Sequence, residues 1–559
     1  MSLMSSLYVG QSGLQTSQNA LNSTAHNMSN LDTTGFTRQQ VLQGNKEYNT
    51  IANAAVSKQQ VGLGVTYSKV RQVRDVFLDQ AYRRESGRSM FYTTSYQCMS
   101  EVETILGELY GATFDNSMED FQRAIDELAK TPTDSVVQGL VIQRAASFLE
   151  SAQAVYKGLS DYQNNLNLQI KNNIGKINDY GKKLSELNRQ IVKIEAGGVE
   201  KANDLRDARN QILDELGGMA SIKYKEDMYG NVSVQIEGHD FVNRDIVFEI
   251  GLDEDAQTGF VTPFWISDAT YTVGSNGKKI YNIEAAKVFN LQQTISSQFN
   301  TDVGGVKAML YARGDKRANY TDLQDAKTYN RDISQSIVMN IQAEFDQLIH
   351  TVATELNRIL ADAADTNTGY LCEKVMVNGE ETWQPIQLFE KKVTDGYRYD
   401  SDSKEWVYNE EDPKRTETLY SAMNLVINPS LVKEPTKLNL MRPDKKEDYE
   451  TAAKLAEAFQ TEEGRPYLNP NVRTKANFMD YYSDLVSQIA NSGSVFHDIA
   501  TSQSDTLEAT CAAREQIVGV SSDEELTNMI KFQNAYNASS RYINVISEML
   551  EHLISSLAR

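Results

Sequence analysis

Leu7, Leu14, Leu21 and Met28 recur at intervals of seven residues, and so do Met529, Tyr536, Ile543, Leu550 and Leu557 at the far end of the chain. A second set, Phe532, Ser539, Ile546 and Leu553, follows the C-terminal one at an offset of three. Spacing by seven lines side chains along one stripe of a helix and drives left-handed supercoiling with a partner helix. The two ends are therefore expected to be long helices, each carrying a seam and each the partner of the other. Gly10, Gly13, Ser17 and Thr24 interrupt the N-terminal seam. Its four large residues bury too little apolar surface to offset the backbone entropy of so long a helix. These ends are expected to become ordered when further subunits pack around them.

Proline placement points the same way. All nine prolines lie between Pro132 and Pro470, which leaves both ends without the residue that breaks helices. Residues 1–31 also contain no Asp, Glu, Lys or Arg. This stretch has neither the basic start nor the unbroken apolar core of a secretion signal, and no run of 18 apolar residues occurs elsewhere. Neither a cleaved signal nor membrane insertion is expected.

Composition excludes several function classes. A chain of 559 residues, 40% of them hydrophobic, can build about three or four domains with real cores. A formal net charge of −21 opposes binding to nucleic acid or to an anionic membrane surface. Cys98, Cys372 and Cys511 stand far apart outside any CxxC, and the five histidines form no HExxH, so no disulfide framework, metal site or cofactor is expected. Gly304-Gly305 precede Lys307 without the GxxxxGK[ST] of a phosphate loop. The run from Asn203 to Leu216, with Asp204, Asp207, Asp214 and Glu215 among Arg206 and Arg209, reads as ion pairs at helical spacing and not as an acid/base cluster. No catalytic residue is assigned.

After the first helix, Asn30, Asp32, Thr33 and Gly35 make a turn in which Gly35 takes positive φ and Phe36 is thrown to the far side. Val61, Leu63 and Val65 alternate as a short strand. From Asp79 to about Leu216 the pattern is helical, with breaks near 107–115, 130–133 and 196–201. Leu166, Ile170, Ile174, Ile177, Leu184, Leu187, Ile191 and Ile194 form one apolar stripe, with Lys171, Lys176, Lys182 and Lys183 towards solvent. Gly217 and Gly218 end a helix, Ile222 to Ile236 reads as two strands, and 240–290 is strand-rich. A helix is expected from about Leu323 to Ala364, with its stripe running from Ile333 to Ile359. The region 366–470 holds seven of the nine prolines and reads as strands and loops with a short helix near Tyr449 to Phe459. Its aromatics Trp383, Tyr397, Tyr399 and Trp406 read as core packing, with a glycan or partner surface as the alternative. A long helix from Phe478 to Ile517 ends in a turn with two overlapping capping boxes, Ser521 with Glu524 and Ser522 with Glu525.

The opening SSLYVGQSGLQTSQNALNSTAHNMSNLDTTGFTRQQ resembles the N-terminal signature of flagellar rod, hook and hook-associated proteins, with Asn30, Thr33, Gly35 and Phe36 as the Asn-x-x-Thr-x-Gly-aromatic turn. The run from Asn203 to Leu216, and Arg514 to Arg541 near the end, are similar to the FlgK-type hook-associated family. Ser522 stands where that family usually has Leu and Phe532 where it usually has Tyr. The resemblance implies an extracellular structural protein, not an enzyme, that forms a ring of identical copies where hook meets filament. It implies as partners the hook protein, the second hook-associated protein and a cytoplasmic export chaperone that binds the C-terminal region, with exit through the flagellar export channel. Another axial protein, hook or distal rod, is one alternative; a secreted enzyme carried on the scaffold within 366–470 is the other.

The fold expected from these readings is mainly α with β-rich outer insertions, an elongated multi-domain chain whose paired ends form a coiled-coil base. The expected division is 1–60 with 515–559 as the terminal unit, 61–220 with 301–365 and 471–514 as a helical unit, 221–300 as a β-rich segment and 366–470 as a variable outer unit. Leu7, Leu14, Leu21, Met28, Gly35, Phe36, Met529, Phe532, Tyr536, Ile543, Ile546, Leu550, Leu553 and Leu557 are the expected assembly interface.

Overall fold

The computed structural model describes residues 3–46, 48–53, 58–107, 114–198, 200–273, 279–377 and 379–557. The side chains of Val61 and Leu557, and the middle of the expected break at 107–115, lie outside the described residues.

Helix α1 (Leu3–Ser29) opens the chain. Strands β1 (Gln39–Asn45) and β4 (Val65–Gln72) pair antiparallel, and β2 (Tyr48–Asn53) and β3 (Lys58–Gly62) pair between them. Then come α2 (Val76–Ile105), α3 (Phe114–Lys130), the 61-residue α4 (Ser135–Glu195) and α5 (Asn203–Met219). Asp75 and Asp134 start α2 and α4 by accepting backbone N–H groups of the first turn. Strands β5 (Ile222–Glu226), β6 (Val232–Ile236), β7 (His239–Asn243) and β8 (Ile246–Val247) form an antiparallel sheet in chain order. Hairpins β9 (Ile250–Glu254) with β10 (Val261–Trp265) and β11 (Thr270–Val273) with β12 (Lys279–Asn282) follow. Helix α6 (Gly305–Arg313) and the single turn α7 (Ala326–Thr328) lead to α8 (Ile337–Ala363).

Beyond α8 lie three two-stranded pairs: β13 (Cys372–Val377) with β14 (Glu380–Pro385), β15 (Phe389–Lys391) with β18 (Leu425–Ile427), and β16 (Tyr397–Asp400) with β17 (Glu405–Tyr408). Helices α9 (Pro429–Lys433) and α10 (Tyr449–Gln460) close this region, and α11 (Phe478–Val518) and α12 (Ser522–Leu557) return to the start. Among the described residues, no helix is long and apolar enough to cross a membrane.

One large apolar core joins α3, α4, α8, α10 and the first half of α11 to the strands beyond α8. Its aromatic centre stacks Phe121 on Phe148 at 5.5 Å and sets Phe114 edge-on to Phe345 at 5.0 Å and Phe121 edge-on to Phe459 at 5.6 Å. Tyr397 is buried in this region beside Tyr408, Trp406 is half-buried against Tyr399, and Trp383 lies over Gly369. A second core packs the later half of α4 and α5 against the β5–β10 strands.

Three expectations change on contact with the packing. The α4 stripe runs through Leu184, Asn188 and Ile191 instead of Leu187, and Ile194 is exposed. Asn188 takes the buried position because its amide holds the edge of β6, donating to Val232 O at 2.9 Å and Arg244 O at 3.0 Å and accepting from Val232 N at 3.1 Å. Gly217 and Gly218 lie inside α5, not beyond its end. They let α5 cross α2 closely: a Cβ on Gly217 would stand 3.1 Å from Arg83 O, and one on Gly87 only 2.4 Å from Gly217 O. Helix α8 begins at Ile337, because Ile333 ends a π-turn and extended Ser336 caps the new helix through Met339 N.

Candidate assembly interface

Helices α1 and α12 lie antiparallel along one another. Gly10 sits against Tyr542 and Ile543, and Gly13 against Ser539, with no room for a side chain at either glycine: a Cβ would meet Ile543 Cγ1 or Ser539 Oγ at 2.7 Å. Apart from Thr16, the buried residues of α1 are Ser6, Gly10, Ser17, Ala20, Thr24 and Asn27. With Gly13 these positions alternate by four and three, which is a heptad of small residues one position away from the leucines. Leu7, Leu14, Leu21 and Met28 are only half-buried beside it. The leucine stripe is thus not the paired face, because small side chains allow the closer approach. The seven-residue spacing of the glycines, serines and threonines was the signal for it.

On α12 the expected seam faces inward. Ile546 is 6% exposed, and Met529, Phe532, Tyr536, Ser539, Ile543 and Leu550 are half-buried. Leu553 is 44% exposed because it lies past the first described turn of α1. The flanks of the seam leave Leu526, Ile530, Tyr542, Val545, Met549 and Ile554 exposed, as are Met4 and Tyr8 on α1.

The turn after α1 locks the hairpin to it. Thr33 N donates to Asn30 O and Phe36 N to Thr33 O, both at 3.1 Å, while Gly35 adopts φ +80°. Phe36 is half-buried, edge-on to His26 at 5.4 Å. Asn27 brackets Gln39, donating to its carbonyl at 2.8 Å and accepting from its N–H at 3.0 Å. Further along, Val65 N donates to Ser12 Oγ at 3.2 Å.

Arg38 joins both ends of the chain. Its N–H donates to Val518 O at 3.0 Å and its carbonyl accepts from Val73 N at 2.9 Å. Its guanidinium pairs with Glu524 at 2.8 Å and Glu525 at 2.9 Å. The two glutamates therefore serve this ion pair and not the expected capping boxes, while Ser521 Oγ accepts from Glu524 N at 3.5 Å.

Helix α5 holds this unit to the rest. Its charged run does not pair along its own helix as expected; each member reaches another element. Asp207 accepts from Thr37 Oγ1 at 2.6 Å, Thr37 N at 3.2 Å and Gln72 Nε2 at 2.8 Å. Burial pushes its carboxyl up despite the Thr37 hydrogen bonds. Asp214 accepts from Arg83 at 2.7 Å and pairs with Arg514 at 2.7 Å, and Arg514 also reaches Asp79 at 2.9 Å. Burial opposes ionisation of Glu195, but Arg206 and Lys201 outweigh it and hold the carboxyl down at about 2. Arg209, 1% exposed, is pushed down to about 10 by burial although Glu226 faces it. The partners of α5 lie up to 300 residues away in sequence, so spacing alone does not reveal them. The arrangement carries structural contacts; among the described residues no group of acidic, His or Cys side chains is placed to hold a metal.

Comparison with known proteins agrees with this geometry. Residues 99–371 match the model of the flagellar hook-associated protein FlgK helical domain. Residues 7–37 match the flagella basal body rod protein model, and 516–556 the C-terminal model of the flagellar basal body rod FlgEFG proteins. Flagellar hook-associated protein 1 of Bacillus subtilis is 23% identical over 562 residues, covering 99% of each chain. The protein of that name from Escherichia coli is 22% identical, covering 97% of this chain and 98% of its own. In fold, the flagellar hook junction protein FlgK of Burkholderia pseudomallei superposes with a TM-score of 0.52 at 11% identity, covering 79% of this chain and all of that one. With its rod-type ends, its FlgK helical domain and its end-to-end correspondence to hook-associated protein 1, this chain belongs to the FlgK family of flagellar hook-associated proteins.

Proposed function

We propose that this chain is the structural subunit that links the flagellar hook to its filament, and that copies assemble through α1 and α12 into a ring. One observation carries the reading. The two ends pair through small residues, yet leave exposed apolar side chains on both flanks of α12, a surface that solvent alone does not favour. Neighbouring copies then bury Leu526, Ile530, Val545, Met549 and Leu553, together with the half-buried Leu7, Leu14, Leu21 and Met28. Gly35 and Phe36 fix the turn that presents the hairpin.

In this reading the paired termini with the β1–β4 hairpin form the innermost layer, the helical unit (76–220, 301–365 and 471–518) the next, and 221–300 with 366–470 the outside. Hook protein lies below the ring and the second hook-associated protein above. The chain leaves the cell through the flagellar export channel, escorted by a chaperone that covers the seam from Met529 to Leu557 until assembly. Subunit association supplies the stability that the two-helix pair lacks. The role is mechanical, not enzymatic.

Two substitutions separate the intramolecular pair from the contacts between copies. Ile546→Asp places a charge in the α1–α12 seam and is expected to abolish incorporation into isolated hook–filament complexes. Met549→Asp, on the exposed flank, leaves the seam untouched and is expected to abolish incorporation as well. Both monomers should keep the melting temperature of the central fold. Normal incorporation of Met549→Asp would remove the exposed flank from the interface.

A further inference from the structure

Charge is segregated about α2. That helix turns Tyr96 and Met99 to His497 and Gly493 of α11, and Arg83, Gly87 and Met90 to the glycines of α5 and α6. On the α11 side the surface is acidic. Arg514 is the one Lys or Arg in α11, and it turns inward to Asp79 and Asp214. Asp484, Asp498 and Asp505 stand about 120–180° around the helix from Gly493, away from α2, with Glu508 on their flank. All four are exposed, and among the described residues no cation pairs with any of them.

On the α5 side a cavity of about 350 Å³ opens between the start of α2, α5, β5 and the β1–β4 pair. It is lined by Lys69, Arg71, Arg74, Lys201, Arg206 and Arg209 against Asp79 and Glu226. Arg74 is answered by Asp79 and Asp207, Lys201 and Arg206 by Glu195, and Arg209 by Glu226. Lys69 and Arg71 stand exposed on β4, and Arg71 donates to the neutral Gln40 side chain at 3.1 Å. Deeper in, Arg209 Nε and Tyr224 Oη have no hydrogen-bond partner among the described residues, and Arg209 is 1% exposed. Buried donors without an acceptor are costly, and a carboxylate entering the cavity supplies one. The two surfaces lie at one level of the molecule. Asp79 lines the cavity and pairs with Arg514 at 2.9 Å, and Glu508 and Asp505 precede Arg514 by about 9 and 14 Å of helix.

We infer that, within the ring proposed above, the outward acids of α11 in one copy dock on the cation-lined cavity of the next, with Asp505 and Glu508 facing Lys69 and Arg71. The inference rests on that ring and gives it a direction, because a contact between two different faces repeats head to tail. Charge supplies the reason. At a formal net charge of −21, identical copies repel one another unless acid meets base where they touch. Lys69 and Arg71 belong to the hairpin of the terminal unit, which gains its stability on association. Assembly therefore completes the basic surface, and free chains do not join through it.

The test measures full-length chain in isolated hook–filament complexes, by immunoblot against the hook protein, in cells whose own copy is removed. Asp505→Lys with Glu508→Lys should lower incorporation by about ten-fold or more, and so should Lys69→Glu with Arg71→Glu. All four positions are exposed, so both purified monomers should keep the helical content and central melting temperature of the parent. Co-expression of the two double variants should restore incorporation, because the reversed acids of one chain then meet the reversed cations of the other. Charges that acted within a single chain would give no such recovery. Parent-level incorporation of either double variant alone, or no recovery on co-expression, would overturn the docking and leave the ring reading standing. Absence of the unsubstituted chain from the complexes would overturn the ring reading, and the docking with it.

Discussion

Asn188 and Gly10 show how single positions set the geometry. The Asn188 side chain, 1% exposed, satisfies the Val232 N–H, two carbonyls and one nitrogen of the Arg209 guanidinium. Asn188→Leu matches the apolar stripe around it but strands those groups, so it is expected to destabilise the β5–β10 region by about 3 kcal/mol, read as a lowered thermal midpoint. Gly10 works by absence. With 2.7 Å between a built Cβ and Ile543 Cγ1, Gly10→Val forces α1 away from α12 at an overpacking cost of about 1–3 kcal/mol. Cells carrying it should swarm poorly while the purified central fold melts as before.

At the scale of elements, α8 is buried nearly all round and carries two carboxyls that are 0% exposed. Glu344 accepts from Asn340, Asn469 and Gln488, and Asp346 from the N–H groups of Tyr320 and Ala422. No cation pairs with either in the described contacts. Burial pushes both up to about 7 against those hydrogen bonds. In the unfolded chain they lose their protons near pH 4, so between about pH 4 and about pH 7 the native state holds more protons. Their contribution to stability is present at the acid end of that window and is lost as pH rises through it. Glu344→Gln removes one such proton, and thermal melts across the window should show its stability rising relative to the parent by up to about 1.4 kcal/mol per pH unit.

The sequence displays α8's apolar face clearly but says nothing of these acids, which look like surface residues until α11 and the 469 region close over them. The same distinction holds elsewhere. Ile543, Ile546 and Leu550 were legible as a seam because large side chains at heptad spacing have few other uses. The face of α1 was legible only in part, since conspicuous leucines drew attention one position away from the small residues that pack. Asp207 and Asp214 were visible as charges, but their partners Thr37 and Arg514 come from distant segments that no local spacing connects.

For the whole molecule, the chain is a body with large apolar cores, held at one end by a paired terminal unit whose contacts with it are polar. Limited proteolysis of the full-length monomer, with mass spectrometry of every fragment over time, tests this division most directly. The account predicts that cleavage removes both ends together, at 73–75 and 519–521 or within α1 and α12, and leaves 76–518 as one resistant body. Early cleavage within α4 or α8, or ends that survive as long as the middle, would contradict it.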